Sequence, residues 1–270
     1  MEPEQFDRFT ARFTLWAQDT PEVIGLVAVG SSAGTHRRPD RWSNHDLLVV
    51  ARPGATEGIR SSTAWLPDHD RVAVAFNEPD HGLTAIYDDG HLIEIAVAER
   101  TDIDWFRADS YRVLMDDGEV AAMLEASEGR GGDTASTETG ALAAYHRLLK
   151  ELVIALGRLG RGELFSAHQH LHGVALPHLL TLIQSCASPR RPDVLDPYDP
   201  SRRFEIAYPG FATTLTEGLS EPRSVAAAIL DILRTSIIGH LNGASQDHLR
   251  PVENLLTQLS PEKDPQATVR

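Results

Sequence analysis

VIGLVAVGSS at residues 23–32 and NHDLLVV at residues 44–50, joined by a polar loop, are the stretch from which the fold of this chain is predicted. Their aliphatic and β-branched runs predict two buried strands. The first strand ends in Gly30-Ser31-Ser32, which suits a tight turn into the N-terminus of a helix. Such a turn offers unpaired backbone N–H groups to phosphate oxygens, so it indicates a nucleotide-binding site.

The second strand begins with two side chains that carry oxygen ligands. Side chains alternate between the two faces of a strand, so Asn44 and Asp46 are predicted to share one face, with His45 on the other. Carboxylate and amide oxygens are the ligands that hard cations such as Mg²⁺ prefer. The pattern therefore predicts that Asn44 and Asp46 point at one spot.

This motif resembles that of the nucleotidyltransferase superfamily, in which Gly-Ser is followed by a spacer, by Asp-x-Asp at a strand start and by a third carboxylate on a later strand. Here the motif has GS at residues 30–31, a slightly longer spacer and WSNHD at residues 42–46. It is most similar to the antibiotic-modifying branch, the lincosamide and aminoglycoside nucleotidyltransferases. Asn44 departs from the pattern, because it stands where the family has its first aspartate.

A further carboxylate, Glu94, lies inside the apolar run LIEIAV at residues 92–97. A buried carboxylate needs a partner, and a metal ion is a suitable one. The position of Glu94 in the chain matches the third acidic position of the superfamily. The alternative is that Glu94 lies on the solvent face of an edge strand. Chain order favours the first interpretation, so Asp46 and Glu94 are predicted to be the catalytic pair.

The resemblance implies Mg²⁺ as cofactor and ATP or another nucleoside triphosphate as donor. The predicted metal ligands are Asp46, Glu94 and Asn44. The residues predicted to bind the nucleotide are Gly30, Ser31, Ser32, Asn44 and Lys150. Arg202 and Arg203 are further candidates for contacts to the triphosphate or the acceptor. For these two arginines and for Lys150, the alternative is a solvated cation on the surface.

Composition limits the class of partner. The formal net charge of -14 argues against a polyanionic substrate such as DNA or tRNA, because binding these depends on lysine and arginine. A small or cationic acceptor fits better. Cys186 is the only cysteine, which excludes an intrachain disulfide, and no signal peptide or bilayer-spanning run is apparent, so a cytoplasmic location is expected.

The 270 residues are predicted to form two domains. Residues 1–128 are expected to form an α/β nucleotidyltransferase-like domain with a small mixed sheet. Residues 138–260 are expected to form an α-helical domain, after a glycine-rich linker at 129–137 and before a polar tail at 261–270. In that arrangement a cleft between the domains would hold the nucleotide on the motif side and the acceptor on the helical side.

Periodicity and turn signals predict the remaining elements. In the first half these are a helix at 3–18, a short helix at 56–65, strands at 71–76, 83–87, 91–98 and 110–115, and a helix ending near 126. In the second half they are helices at 138–159 and 163–187, an irregular crossing at 189–210, and helices at 223–241 and 246–259. Asp89-Gly90 predicts a tight turn between two of the strands.

The predicted function is Mg²⁺-dependent nucleotidyl transfer from ATP to a hydroxyl of a small molecule, with an antibiotic as the acceptor that the resemblance suggests. Two alternatives keep the same fold. Asn44 brings no charge to the metal, which favours a nucleotide-binding regulatory protein that has lost the chemistry. A protein-modifying branch with the same motif makes transfer of AMP to a protein hydroxyl the second alternative.

Two other classes of site are open at this stage. The run at residues 30–34 reads Gly-x-Ser-x-Gly, the nucleophile elbow of α/β-hydrolases, with Ser32 as the nucleophile. A zinc site is the other, because four histidines lie close together in sequence and two of them are spaced for one helix face. These histidines are His168, His170, His172 and His178.

Overall fold

The computed structural model describes residues 1–34, 39–78, 82–105, 111–117, 119–127, 140–195 and 200–259. It describes the backbone alone for Ser31, Asp102, Asp104, Trp105, Ala126 and Ser127. The predicted linker at 129–137 and the predicted tail at 261–270 lie outside the described residues. The chain divides into two compact units. One contains Met1–Tyr87 and His91–Thr137, and the other contains Asp88–Gly90 and Glu138–Arg270.

The first unit is built on one six-stranded sheet. Its strands are β1 (Val23–Val29), β2 (His45–Ala51), β3 (Val72–Asn77), β4 (Gly82–Tyr87), β5 (Leu92–Glu99) and β6 (Tyr111–Asp116). The strand order is β3-β4-β5-β2-β1-β6. β2 and β5 pair in parallel, and the other neighbouring pairs are antiparallel. The predicted α/β unit with a mixed sheet is confirmed.

Helices cover both faces of this sheet. They are α1 (Pro3–Asp19), α2 (Thr56–Arg60) and α3 (Val120–Ser127), with 3₁₀ turns at Gly30–Ala33, His69–Arg71 and Arg100–Trp105. Two aromatic side chains of α1, Phe9 and Phe13, lie in the core on one face. Val120 and Leu124 of α3 pack in the core on the other face.

The helix predicted at 56–65 is shorter than expected. α2 ends at Arg60, because the hydroxyls that follow bond to nearby backbone instead of continuing the helix. Ser61 Oγ donates to Gly58 O at 3.0 Å, and Ser62 Oγ accepts from Ala64 N at 3.2 Å.

Two turn residues fix strand ends. Gly90 has φ +85°, and Tyr87 N donates to His91 O at 2.8 Å, which confirms the tight turn predicted at Asp89-Gly90. At the end of β6, the carboxylate of Asp116 caps α3. It accepts the N–H groups of Glu119 and Val120, each at 2.9 Å. This capping residue immediately precedes Asp117-Gly118. Gly118 lies outside the described residues.

The second unit is helical, as predicted. It consists of α4 (Ala141–Gly160), α5 (Leu164–His170), α6 (Leu176–Cys186), α7 (Phe204–Ala207), α8 (Pro209–Gly218), α9 (Pro222–Ile232) and α10 (Arg250–Gln258). π-helical turns lie at Leu171–Ala175 and Leu233–Ile237, and 3₁₀ turns at Pro192–Val194, Ile238–His240 and Gln246–Leu249. Among the described residues, no helix combines the length and apolar character needed to cross a bilayer.

The structure of this unit differs from the prediction in two places. The crossing predicted at 189–210 contains α7 and the start of α8, because Pro209 occupies the first position of a helix, where its missing N–H is tolerated. The single helix predicted at 163–187 is α5 and α6, which are joined by a π-helical turn that contains Gly173. Cys186 is partly exposed at the end of α6.

α3 packs closely on β1 at Gly25. A Cβ built at this position would lie 2.4 Å from Val120 Cγ2, so α3 packs directly on the backbone of β1. We expect Gly25→Ala to lower the free energy of unfolding by about 1–3 kcal/mol, because it overpacks a filled core. Chemical denaturation measures this value.

Gly58→Ala is the matched control, because Gly58 lies in α2 and a Cβ there would meet nothing within 4 Å. This control should be neutral or slightly stabilising, since alanine favours helix. Equal stability of the two variants would contradict the packing of α3 on β1.

Candidate functional site

The ends of three neighbouring strands bring the predicted site residues together. β1 runs antiparallel to β2, with Ala28 opposite Leu47, so the turn after β1 lies beside the start of β2. β2 and β5 run in parallel, and Asp46 lies directly opposite Glu94. The structure therefore places a turn and two carboxylates at the same end of three neighbouring strands.

Asp46 and Glu94 are partly buried neighbours on the same face. The interpretation of Glu94 as a residue of an edge strand is wrong, because β5 lies between β4 and β2. Asn44 joins the two carboxylates. Its Nδ2 donates to Asp46 Oδ1 at 2.7 Å and to Glu94 Oε2 at 3.1 Å. The predicted shared face of Asn44 and Asp46 is thus confirmed.

The turn after β1 needs a glycine. Gly30 has φ +57°, a left-handed conformation that glycine adopts without a steric cost. A Cβ built on Gly30 would lie 3.7 Å from Asp46 Oδ2. The helix predicted to follow this turn is a 3₁₀ turn at Gly30–Ala33, and residues 35–38 lie outside the described residues. The side chain of Ser31 lies outside the described residues, so its predicted nucleotide contact stays a prediction.

Ser32 ties this turn to the start of β2. Its hydroxyl is buried, donates to Asn44 O at 3.0 Å and accepts from Asp46 N at 2.9 Å. The hydroxyl thereby fixes the backbone of both site residues. The nucleophile-elbow hypothesis does not fit, because β1 is flanked by antiparallel strands on both sides instead of lying in an α/β-hydrolase sheet. A nucleotide contact by Ser32 stays a prediction.

A compact turn before β2 was missed by the sequence analysis. Asp40 Oδ1 accepts from Trp42 N at 2.9 Å and from Ser43 Oγ at 3.2 Å, and Asp40 N donates to Ser43 Oγ at 3.0 Å. The guanidinium of Arg41 lies 4.8 Å from the centre of the Trp42 ring. The sequence contains a signal for this turn. An aspartate side chain that bonds to the backbone two residues later is typical of an Asx turn, and Asp40 stands two residues before Trp42.

A second network, also missed, lies under the site on the α1 face of the sheet. His45 is fully buried and stacks on Phe6, with ring centroids 3.7 Å apart. His45 Nδ1 lies 2.8 Å from His91 Nε2, and His45 Nε2 lies 2.9 Å from Thr10 Oγ1. Thr10 Oγ1 donates its hydrogen to Phe6 O at 3.0 Å.

This chain of bonds determines which nitrogen carries each proton. Because the Thr10 hydroxyl donates to Phe6, it accepts from His45 Nε2–H, and His45 Nδ1 then accepts from His91 Nε2–H. Burial lowers the pKa of His45, with the neighbouring His91 as a second cause. Burial also lowers the pKa of His91 to about 3, with smaller contributions from the N-terminal ammonium and Arg71. Both rings are therefore neutral near pH 7.

Other residues named from the sequence lie in the helical unit. Lys150 of α4 is buried, so its interpretation as a solvated surface cation is wrong, while its nucleotide contact stays a prediction. Glu151 beside it contacts His170 Nε2. Arg202 and Arg203 are exposed, and Arg203 Nη1 donates to Val194 O at 3.2 Å. Contacts of these two arginines with a substrate stay predictions.

The histidine hypothesis for zinc finds no support. The rings of His168 and His172 stack with centroids 5.7 Å apart. Burial lowers the pKa of His172, and the nearby His168 is a second cause. Within the part of the chain that the structure describes, no three His, Cys, Asp or Glu side chains come together in a metal-holding group. Among the described residues, two carboxylates, Asp46 and Glu94, meet at the ends of β2 and β5, and the third position is occupied by Asn44.

Comparisons with known proteins add little. No family model and no curated protein matches the chain. Among solved structures, the STING-associated CdnE c-di-GMP synthase from Capnocytophaga granulosa is similar at 12% identity, with 96% of this chain and 80% of that chain covered and a TM-score of 0.26.

The buried histidines make stability depend on pH. A folded-state pKa below the unfolded value of about 6.5 means that the unfolded chain binds more protons in acid, so the stabilisation is complete above pH 6.5 and is lost as pH falls. For each histidine the free energy of unfolding should fall by about 1.4 kcal/mol per pH unit. Denaturation at pH steps from 7.5 to 5 measures the slope.

His91→Gln is the informative variant, because glutamine keeps an N–H donor for His45 but does not titrate. Between pH 6.5 and 5 its slope should be shallower by about 1 kcal/mol per pH unit on average, because the unfolded histidine becomes fully protonated only towards pH 5. Identical slopes for the two proteins would show that His91 is not held neutral in the folded state.

Proposed function

We propose that this chain is a Mg²⁺-dependent nucleotidyltransferase that transfers an adenylyl group from ATP to a hydroxyl of a small molecule. One observation carries the proposal. Asp46 and Glu94 lie opposite each other on parallel strands, beside the left-handed turn at Gly30. The resemblance of the sequence motif to the nucleotidyltransferase superfamily supports the same reaction.

The donor set fits a magnesium ion. Mg²⁺ binds through one or two carboxylates and completes its shell with water and substrate phosphates. Asp46 and Glu94 are the two carboxylates, and Asn44 adds an amide that contacts both. When bound, the ion neutralises charge on the triphosphate and on the leaving pyrophosphate.

The residues of the chain then position the reactants. The backbone of Gly30, with no side chain, leaves room for phosphate beside Asp46. In the transfer, the acceptor oxygen forms a bond to the α-phosphorus, the bond from that phosphorus to the β-phosphate oxygen breaks, and pyrophosphate leaves. As an alternative to holding the ion, Glu94 would accept the hydroxyl proton as general base. Ser32 holds the backbone of this site in place.

The nature of the acceptor follows from charge. At a formal net charge of -14 the chain repels polyanions, so a small neutral or cationic molecule is favoured over a nucleic acid. A hydroxylated antibiotic such as a lincosamide or aminoglycoside meets this description. A protein hydroxyl is the alternative acceptor.

Asn44 favours a second candidate function, nucleotide binding without transfer. An asparagine lowers the negative charge at the metal and thus weakens metal binding. A binding protein of this kind would retain triphosphate in the presence of Mg²⁺ but release no pyrophosphate with any acceptor.

Removing one carboxylate tests the proposal. We expect Asp46→Asn and Glu94→Gln each to lower Mg²⁺-dependent turnover of ATP by about 100-fold or more, because a charged group at the reacting phosphate is lost. Pyrophosphate release and the adduct mass of an acceptor panel of aminocyclitols, lincosamides and a protein substrate are the measurements. The adduct mass identifies both donor and acceptor.

Asp70→Asn is the matched control, because Asp70 is exposed in the 3₁₀ turn His69–Arg71 and the charge change is the same. Its turnover should equal that of the wild type. Full turnover in Asp46→Asn would overturn the proposal, and triphosphate binding without pyrophosphate release would favour the second candidate.

A further inference from the structure

The orientation of the Asn44 amide is fixed by chemistry. Its terminal atom lies 2.7 Å from Asp46 Oδ1 and 3.1 Å from Glu94 Oε2. Ionised carboxylates only accept hydrogen bonds, so the group between them must be the N–H₂ and not the oxygen. With the oxygen turned inward, three acceptors would converge on one point, which is favourable only when a cation lies among them.

The surrounding structure lets the side chain turn without moving the strand. The backbone carbonyl of Asn44 accepts from the buried hydroxyl of Ser32, and the backbone N–H of Asp46 donates to the same hydroxyl. The backbone on both sides of the strand start is therefore held in place. The terminal amide torsion of an asparagine is broad and roughly two-fold. Exchange of nitrogen for oxygen therefore requires rotation of one group only.

We propose that Asn44 is a two-position side chain that couples cation binding to nucleotide binding. In the cation-free site its N–H₂ bridges Asp46 and Glu94. In the loaded site its oxygen turns toward a divalent cation. This inference rests on the proposed nucleotide site, and it assigns to Asn44 the control of when the cation binds.

Charge explains why the nucleotide is needed. Three carboxylates would attract a divalent cation before nucleotide arrives, whereas two carboxylates bridged by a neutral amide bind it more weakly. A triphosphate supplies the missing negative oxygens. The pair Asp46 and Glu94 should consequently take Mg²⁺ or Mn²⁺ together with a nucleoside triphosphate and only weakly alone.

NMR follows the amide directly. The chain has four asparagines, Asn44, Asn77, Asn242 and Asn254, so selective ¹⁵N-asparagine labelling gives four side-chain signals, and Asn44→Asp assigns one of them. Mg²⁺ alone should leave the Asn44 signal in place. Mg²⁺ with a non-hydrolysable ATP analogue should shift it strongly and leave that of the exposed Asn242 unchanged.

Cation affinity provides the second readout. Without nucleotide, Asn44→Asp should bind Mn²⁺ at least about tenfold more tightly than the wild type, because a third charge faces the cation. Mn²⁺ titration followed by electron paramagnetic resonance measures the free ion. Asn242→Asp is the matched control, since it adds the same charge at an exposed asparagine, and its Mn²⁺ affinity should not change.

The two proposals fail in different ways. An unshifted Asn44 signal at saturating Mg²⁺ and analogue, or equal Mn²⁺ affinity of wild type and Asn44→Asp, overturns the role of Asn44 and leaves nucleotidyl transfer intact. An absence of pyrophosphate release from a protein that shows both expected changes overturns the transferase and leaves the coupling intact.

Discussion

The structure of this site depends on one constraint, the parallel register that sets Asp46 opposite Glu94. Neighbouring strands lie about 4.8 Å apart, so two carboxylates at paired positions on one face repel unless a donor or a cation lies between them. Asn44 provides that donor. Two adjacent carboxylates favour positive charge between them, and this is the physical basis of our proposal that the site receives a cation and a triphosphate.

The rest of the unit holds the register in place. β2 and β5 occupy the middle of the sheet, where both edges of each strand are paired. On the face opposite the carboxylates, the ring of His45 stacks on Phe6. Its two nitrogens form hydrogen bonds with Thr10 and His91. Since neighbouring residues of β2 point to opposite faces, locking His45 also fixes the directions of Asn44 and Asp46.

Local signals in the sequence predict much of this arrangement. Period-two alternation correctly places Asn44 and Asp46 on one face, and Asp89-Gly90 correctly marks a turn. Periodicity assigns a face to each residue but does not say which strands become neighbours, so the pairing of β2 with β5 is known only from the structure. The bonds of Asn44 to two carboxylates, and the network of His45, depend on that pairing and were not predicted. The prolines and glycines of the segment 189–210 predicted an irregular crossing. The start of α8 was therefore not predicted, because Pro209 begins a helix instead of interrupting one.

The central claim is that Asp46 and Glu94 together receive a divalent cation and the phosphates of a nucleotide. Crystals grown with Mn²⁺ and a non-hydrolysable ATP analogue test it most directly, because anomalous scattering locates manganese independently of the phases of the protein. The account predicts an anomalous peak in contact with carboxylate oxygens of both residues and with a phosphate oxygen, beside Gly30. A bound analogue whose manganese touches neither carboxylate would contradict the account.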